Sequence, residues 1–360
     1  MRVSGFDWQV PGCCAAAAML AGCALGQRFD GVYPQHRNVI LSAVEGRAGA
    51  GRSTSWMLPE AKRDKLLYVS DAGNNTVTVY SYPRGRQVGT LGGFDFPYGQ
   101  CVDKAGDVFI ANTNASNIIE YPHGSSSPIA TIGDAGEHPA GCSVDPLNGD
   151  LAVNNTYTVS NEPGSISRYT YSRHYGWSLP KNYSDSSFFY MYFCGYDATG
   201  DLFVDGLTGY GGSFVFAELP AGHKTFTNIT LNQSIQSPGG VQWDGAHMAV
   251  GDQGNGNGSV IYQFTFSGNT GKAVGSTPLN GSEDVAQFWI QGRKVVGPDY
   301  GSGEVEYWNY PAGGSAINLI TRGVDGPEGA TVSEAQTFQS RSRQFCRPSQ
   351  KRSSPQCGRS

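Results

Sequence analysis

The chain repeats itself, and that repeat limits the folds open to it more than any other feature. Six times a short β-rich run closes on Asp or Asn: at Asp71, Asn112, Asn154, Asp205, Asp252 and Asp299, with spacings of 41, 42, 51, 47 and 47 residues. Ahead of three of these runs stands a Gly-Asp turn: Gly106-Asp107, Gly149-Asp150 and Gly200-Asp201. Ahead of that turn a strand ends in Asp, as in Cys101-Val102-Asp103, Ser143-Val144-Asp145 and Gly195-Tyr196-Asp197. A variant reads Val241-Gln242-Trp243-Asp244-Gly245. Behind each run come a Gly/Asn/Ser loop and a third strand (76–82, 117–121, 259–266, 304–310), then a fourth (128–132, 316–320). A Pro-x-Gly element opens the next unit: Pro97-Tyr98-Gly99, Pro139-Ala140-Gly141, Pro238-Gly239-Gly240 and Pro327-Glu328-Gly329.

Four short strands in 40–50 residues is the size of one propeller blade. A single four-stranded sheet cannot bury both faces, but sheets packed around an axis bury one another, and closing the ring limits exposed edges. The repeat therefore predicts an all-β chain, a six-bladed β-propeller of four-stranded antiparallel blades spanning 55–333. Seven segments compete for six inner strands, 56–58 and 328–333 among them, so the two ends of this region are expected to pair within one blade. Which end is innermost is left open. Composition agrees. Fifty of 360 residues are Gly, about twice the usual share, and only 15% are charged. Aromatics at 12% argue against disorder, and no run of 18 apolar residues exists to form a membrane-spanning helix.

The flanks read differently. Residues 13–25, CCAAAAMLAGCAL, form an apolar run of signal-peptide length behind Arg2 and Asp7. Within it Leu20-Ala21-Gly22-Cys23 resembles the bacterial lipobox, in which the small residues suit a signal peptidase and the Cys thiol is lipidated. The resemblance implies a lipoprotein signal over 1–22, lipidation at Cys23, a Gly/Arg/Ser-rich tether over 23–54 and a location in the bacterial cell envelope. An ordinary secretory signal is the alternative. The tail 334–360 carries six basic residues and one acid, and reads as disordered. Residues 24–333 hold 18 basic and 28 acidic residues, a balance that repels nucleic acid and anionic membrane faces. Cys101, Cys142 and Cys194 read as small buried hydrophobes, with a disulfide among them left open.

Candidate site residues follow from position. Asp71, Asn112, Asn154, Asp205, Asp252 and Asp299 could form a ligand ring. The simpler reading is that each side chain binds backbone amides nearby and caps its turn. Glu328, in a Pro-x-Gly frame, and Asp284, near an equivalent place, are carboxylates at the start of the inner strands and suit a hard cation such as Ca²⁺. The longest unit carries an aromatic run that includes Tyr175, Trp177 and Tyr183; with Tyr98 these are the candidate ligand-stacking residues. No Gly-x-Ser-x-Gly elbow, P-loop or His-Glu-x-x-His motif occurs.

The Pro-x-Gly-x-x-Val-Asp, Gly-Asp, hydrophobic-Ala-Asn, Ile-x-x-Tyr pattern over 60–333 resembles NHL-type repeat propellers, and more broadly the senescence-marker/gluconolactonase group. That broader resemblance implies a divalent cation held by Glu, Asp and Asn in the channel, polarising a lactone carbonyl and activating water. The chain departs from it: no Asn-Gly-hydrophobic inner strand supplies the usual Asn, and Leu58-Pro59-Glu60-Ala61 stands where Glu-Gly-Pro is expected. The reading is therefore an exported, lipid-anchored scaffold, monomeric, not an obvious enzyme and with no certain cofactor. It would bind a protein or a small-molecule or carbohydrate ligand, and meet the membrane only through its anchor. A lactonase-like hydrolase is the alternative.

Overall fold

The computed structural model describes residues 54–254 and 258–335. Leader, lipidation at Cys23, tether up to residue 53 and tail beyond 335 therefore lie outside the described residues. Six antiparallel sheets stand around a central channel. From the axis outward, blade 1 is Pro327–Ser333, Leu66–Asp71, Thr76–Ser81, Arg86–Leu91 and Trp56–Met57. Blade 2 is Pro97–Val102, Val108–Asn112, Asn117–Tyr121 and Ala130–Gly133. Blade 3 is Glu137–Val144, Leu151–Thr158, Pro163–Tyr169 and Lys181–Tyr183. Blade 4 is Tyr190–Tyr196, Leu202–Leu207, Phe214–Leu219 and Thr227–Asn228. Blade 5 is Pro238–Trp243, Met248–Asp252, Ser259–Ser267 and Thr270–Asn280; blade 6 is Trp289–Gln291, Lys294–Asp299, Glu304–Asn309 and Asn318–Ile320.

The ring closes in blade 1, and the ends do meet there. The C-terminal strand, Pro327–Ser333, is the innermost, paired antiparallel with Leu66–Asp71. Trp56–Met57, which competed for that place, is instead a fifth strand on the outer edge, paired with Arg86–Leu91. Second strands are sandwiched between neighbouring blades, which is why Leu66–Asp71 and Leu202–Leu207 are buried along their whole length and begin with apolar runs, Leu66–Val69 and Leu202–Val204. Six apolar clusters fill the structure, one centred on each blade–blade junction among the described residues.

The Pro-x-Gly element has a structural meaning. In blades 1, 2, 3 and 5 the ladder between inner and second strands shifts register there, a β-bulge that bends the strand along the channel wall; blade 4 has the same bulge between Met191 and Cys194 without the motif. Its glycine is needed because inner strands of adjacent blades touch. A Cβ on Gly99 would stand 2.5 Å from the carbonyl oxygen of Ala140 in the next blade.

The bulge also corrects the equivalence of the six Asp/Asn residues. Asp71, Asn112 and Asp252 each pair with the Pro of their own blade, and Asp299 bridges to Val285 at the same place. In blade 3 the residue opposite Pro139 is Asn155, and in blade 4 the residue opposite Met191 is Gly206. Asn154 and Asp205 therefore stand one position earlier, and a shift of one residue turns a side chain to the other face of the sheet.

Candidate ligand site in the central channel

The four residues in register act as local ties. Asp71 accepts the Asn74 amide at 3.1 Å and the Asp325 amide at 2.9 Å. Asp252 accepts those of Gln236, Ser237 and Gly254, and Asp299 those of Glu283, Asp284 and Gly301. Asn112 accepts the Asp95 amide. Each carboxylate or amide thus binds the loop that enters its blade's inner strand. Asn154 and Asp205 face inward instead. The Asn154 Nδ2 donates to the Tyr192 carbonyl across the junction to blade 4. The Asp205 Oδ1 accepts the Phe193 N–H at 2.9 Å, a group released by the bulge. Complete burial pushes the Asp205 carboxyl well above the usual carboxylate range.

The turns between inner and second strands have their own caps. Asp103, Asp145, Asp197 and Asp244, the last residues of the repeated motif, accept amides two residues on, from Ala105, Leu147, Thr199 and Ala246.

Toward this face the channel opens into a cavity of about 300 Å³. Its lining includes Tyr196 and Trp243 at the ends of the inner strands of blades 4 and 5, Trp289 at the start of that of blade 6, and the amides of Gln100, Asn154 and Gln287. The opposite end is filled by Tyr98, Ala140, Tyr192 and Ala286, all buried in one cluster. Gln287 and Gln100 interlock across the inner strand of blade 1. The Gln287 Oε1 accepts N–H groups of Gln100 at 3.0 Å and Ala330 at 3.2 Å, while its Nε2 donates to the Gln100 carbonyl at 2.8 Å. The Gln100 Nε2 donates to Ser70 Oγ at 2.8 Å and to the Gly329 carbonyl at 3.2 Å. These amides satisfy donors that the bulges set free. Gln100 Oε1 and Asn154 Oδ1 are buried with no hydrogen-bond partner among the described residues, and both residues line the cavity. The only charged residue in the lining is Asp197, whose Oδ1 already holds its turn. Cys101 and Cys142, also in the lining, are joined as a disulfide; the reading of all three body cysteines as plain buried hydrophobes holds for Cys194 alone.

The structure scatters the sequence-derived site residues. Tyr98 is buried, stacked with Phe96 and Phe193 at 6.2 Å each, and closes the channel rather than opening to solvent. Tyr175 is 84% exposed at the tip of a two-stranded hairpin, Tyr171–Ser172 with Gly176–Trp177. Trp177 locks the junction of blades 2 and 3: its Nε1–H donates to Glu120 Oε2 at 2.8 Å and its ring meets Phe109 edge-on at 5.5 Å. Tyr183 packs against the junction of blades 3 and 4. Asp284 and Glu328 are both buried, and after burial itself their charges raise the Tyr300 hydroxyl. Neither lines the cavity. Among the described residues no group of three or more His, Cys, Asp or Glu is placed to hold a metal. Sequence reasoning missed Gln100 and Gln287 altogether.

Fold and channel define the class: a six-bladed β-propeller. No protein-family model matches the chain, and no characterised protein sequence does. Solved structures match in fold. A chain of a nidogen/laminin complex superposes with a TM-score of 0.58 at 11% identity, covering 76% of this chain and 99% of that one. A protein of unknown function from Bacteroides caccae gives 0.55 at 13%, covering 75% and 99%. A functionally unknown protein from Desulfotomaculum acetoxidans gives 0.52 at 12%, covering 76% and 100%. At these identities the likeness speaks for the fold alone.

Proposed function

We propose that the chain is a binding scaffold whose channel takes a small, uncharged, hydroxyl-rich ligand of carbohydrate type. The cavity lining carries this reading. Indole rings and amide groups in one lining are the chemistry that stacks on a sugar face and reads its hydroxyls. A lining with one committed charge disfavours ionic ligands, and about 300 Å³ sits at the small end of ligand pockets. The test is tryptophan fluorescence of the full chain titrated with neutral mono- and disaccharides. Saturable quenching that is lost in Trp243→Ala, with the circular dichroism unchanged, supports the reading. No response to any saccharide, or an undiminished response in Trp243→Ala, rejects it.

Export and lipid anchoring belong to the same proposal. Leu20-Ala21-Gly22-Cys23 supports an anchor, and the Cys101–Cys142 disulfide suits an oxidising compartment. Mass spectrometry of the N-terminal peptide tests the anchor: a diacylglyceryl group on Cys23 is expected, and an unmodified thiol in a mature chain rejects it. The lactonase-like alternative rests on Asp284 and Glu328, and their positions outside the cavity give it no ligand set among the described residues.

A further inference from the structure

Blade 3 holds a second polar cluster, away from the channel cavity. Asn155 on its second strand, Ser165 and Ser167 on its third and Asn182 on its fourth are linked by direct pairing, Asn155 with Ser165 and Ser167 with Asn182. Over this face the segment arriving from blade 2 lays Asp134, and the inner strand begins with Glu137. The Ser167 hydroxyl donates to Asp134 Oδ1 at 2.7 Å. The Ser165 hydroxyl and the Asn182 Nδ2 donate to Glu137 Oε1 at 3.2 and 3.3 Å. Asn155 Nδ2 donates to both serine oxygens, at 3.2 and 2.9 Å.

Asp134, Glu137 and Asn155 are 1%, 8% and 0% exposed. The second carboxylate oxygens of the two acids, Asp134 Oδ2 and Glu137 Oε2, and the single side-chain oxygen of Asn155, Oδ1, are buried with no hydrogen-bond partner of good geometry among the described residues, although the Tyr169 hydroxyl and the Asn155 amide lie near the Asp134 carboxyl. No salt bridge reaches either acid among those residues. Arg168, on the same third strand, is committed to Asp145 and Asp150. Burial raises both carboxyls, and the Asp134 charge raises Glu137 further. Two like charges taken out of water without a counter-charge oppose folding. Carboxylate, carboxamide and hydroxyl oxygens gathered without a cation are the ligand set of a hard ion held by protein oxygens, which is Ca²⁺ chemistry rather than that of Mg²⁺, an ion that keeps its waters.

We propose that Asp134, Glu137 and Asn155, with the serine and Asn182 oxygens around them, bind Ca²⁺ at the junction of blades 2 and 3. The ion supplies the missing counter-charge and ties residues 134–137 to the outer strands of blade 3. The site is independent of the channel ligand.

The full chain is stripped with EDTA, returned to metal-free buffer at pH 7.5 and titrated with Ca²⁺ by calorimetry and with Tb³⁺ by luminescence, Tyr169 beside Asp134 serving as donor. A dissociation constant on the order of 10⁻⁴ M or tighter is expected, weakened at least tenfold in Asp134→Asn and in Glu137→Gln. Both variants are expected to keep their fold, checked by circular dichroism, because each removes one of two repelling charges and keeps an oxygen for its hydrogen bonds. Absence of binding up to millimolar Ca²⁺ overturns the proposal, as does unchanged affinity in both variants. A melting temperature that depends on pH but not on Ca²⁺ also overturns it, since the pair then shares a proton.

Discussion

Two neighbouring junctions of the ring are built from opposite chemistry. Across the inner strand of blade 1, Gln100 of blade 2 and Gln287, which leads into blade 6, meet one another and the backbone with neutral amides, both residues fully or nearly buried. Between blades 2 and 3 lie a buried acid pair without a counter-charge and, further along the same interface, the only disulfide among the described residues, Cys101–Cys142. The first junction costs little electrostatically and spends side chains on backbone donors. The second holds two like charges out of water, and a covalent link crosses the same interface. The contrast shows that a repeat equalises backbone geometry without equalising how each interface is held.

The largest effect expected from breaking this contrast is loss of the disulfide. Cys101 and Cys142 are 41 residues apart, and releasing a loop of that size in the unfolded chain costs about 4 kcal/mol. Cys101→Ser with Cys142→Ser, measured by denaturant unfolding under non-reducing conditions, is expected to lose that amount. A loss under ~1 kcal/mol would mean that junction needs no covalent support. Gln287→Ala comes next. It strands the N–H groups of Gln100 and Ala330 and the Gln100 carbonyl, and about 3 kcal/mol is expected by the same measurement.

Asp134→Asn should act in the other direction in metal-free protein. The Asp134 carboxyl is raised by burial, so the folded state binds its proton more tightly than the unfolded state does. Its stabilising contribution is therefore full at low pH and falls as pH rises above the ordinary carboxylate range. The variant is expected to gain about 1 kcal/mol, roughly 2–4 °C in Tm, at pH 7.5, and nothing near pH 3. The smallest effect concerns Glu306, outside both junctions, whose carboxyl is pushed up to about 7 by burial, then by Asp299 and Glu304. Its contribution is likewise present below its ordinary value of 4.5 and is lost as pH rises through about 7. Glu306→Gln should flatten the decline of Tm between those two values, read by melting curves at half-unit steps.

Much of the architecture was legible because a blade is a local object. Asp/Asn run ends, Gly-Asp turns and Pro-x-Gly starts recur in the same order every 41 to 51 residues, and these local signals are enough to count blades. What stayed hidden depends on partners far apart in the chain. Gln100 and Gln287 are 187 residues apart and become neighbours only when the ring closes. Asn154 and Asp205 looked equivalent to Asp71 because all three end an apolar run, but ladder position is set by the bulged inner strand, and strings of letters do not reveal a bulge. Cys101 and Cys142 carried a usable signal: both sit near the end of the inner strand in consecutive units, and such strands touch. The aromatic candidates misled because Trp177 and Tyr98 serve packing, where aromatics are equally at home.

The position of Pro327–Ser333 as the innermost strand of blade 1 has a consequence for biogenesis. Leu66–Asp71 emerges from the ribosome some 260 residues before the strand that completes its sheet, a delay of roughly 10–50 s at ordinary elongation rates. Until then its inner edge presents unpaired amides and carbonyls, the kind of edge that recruits foreign strands. Chaperone protection during synthesis, and sensitivity to any truncation before residue 333, follow from that order of assembly.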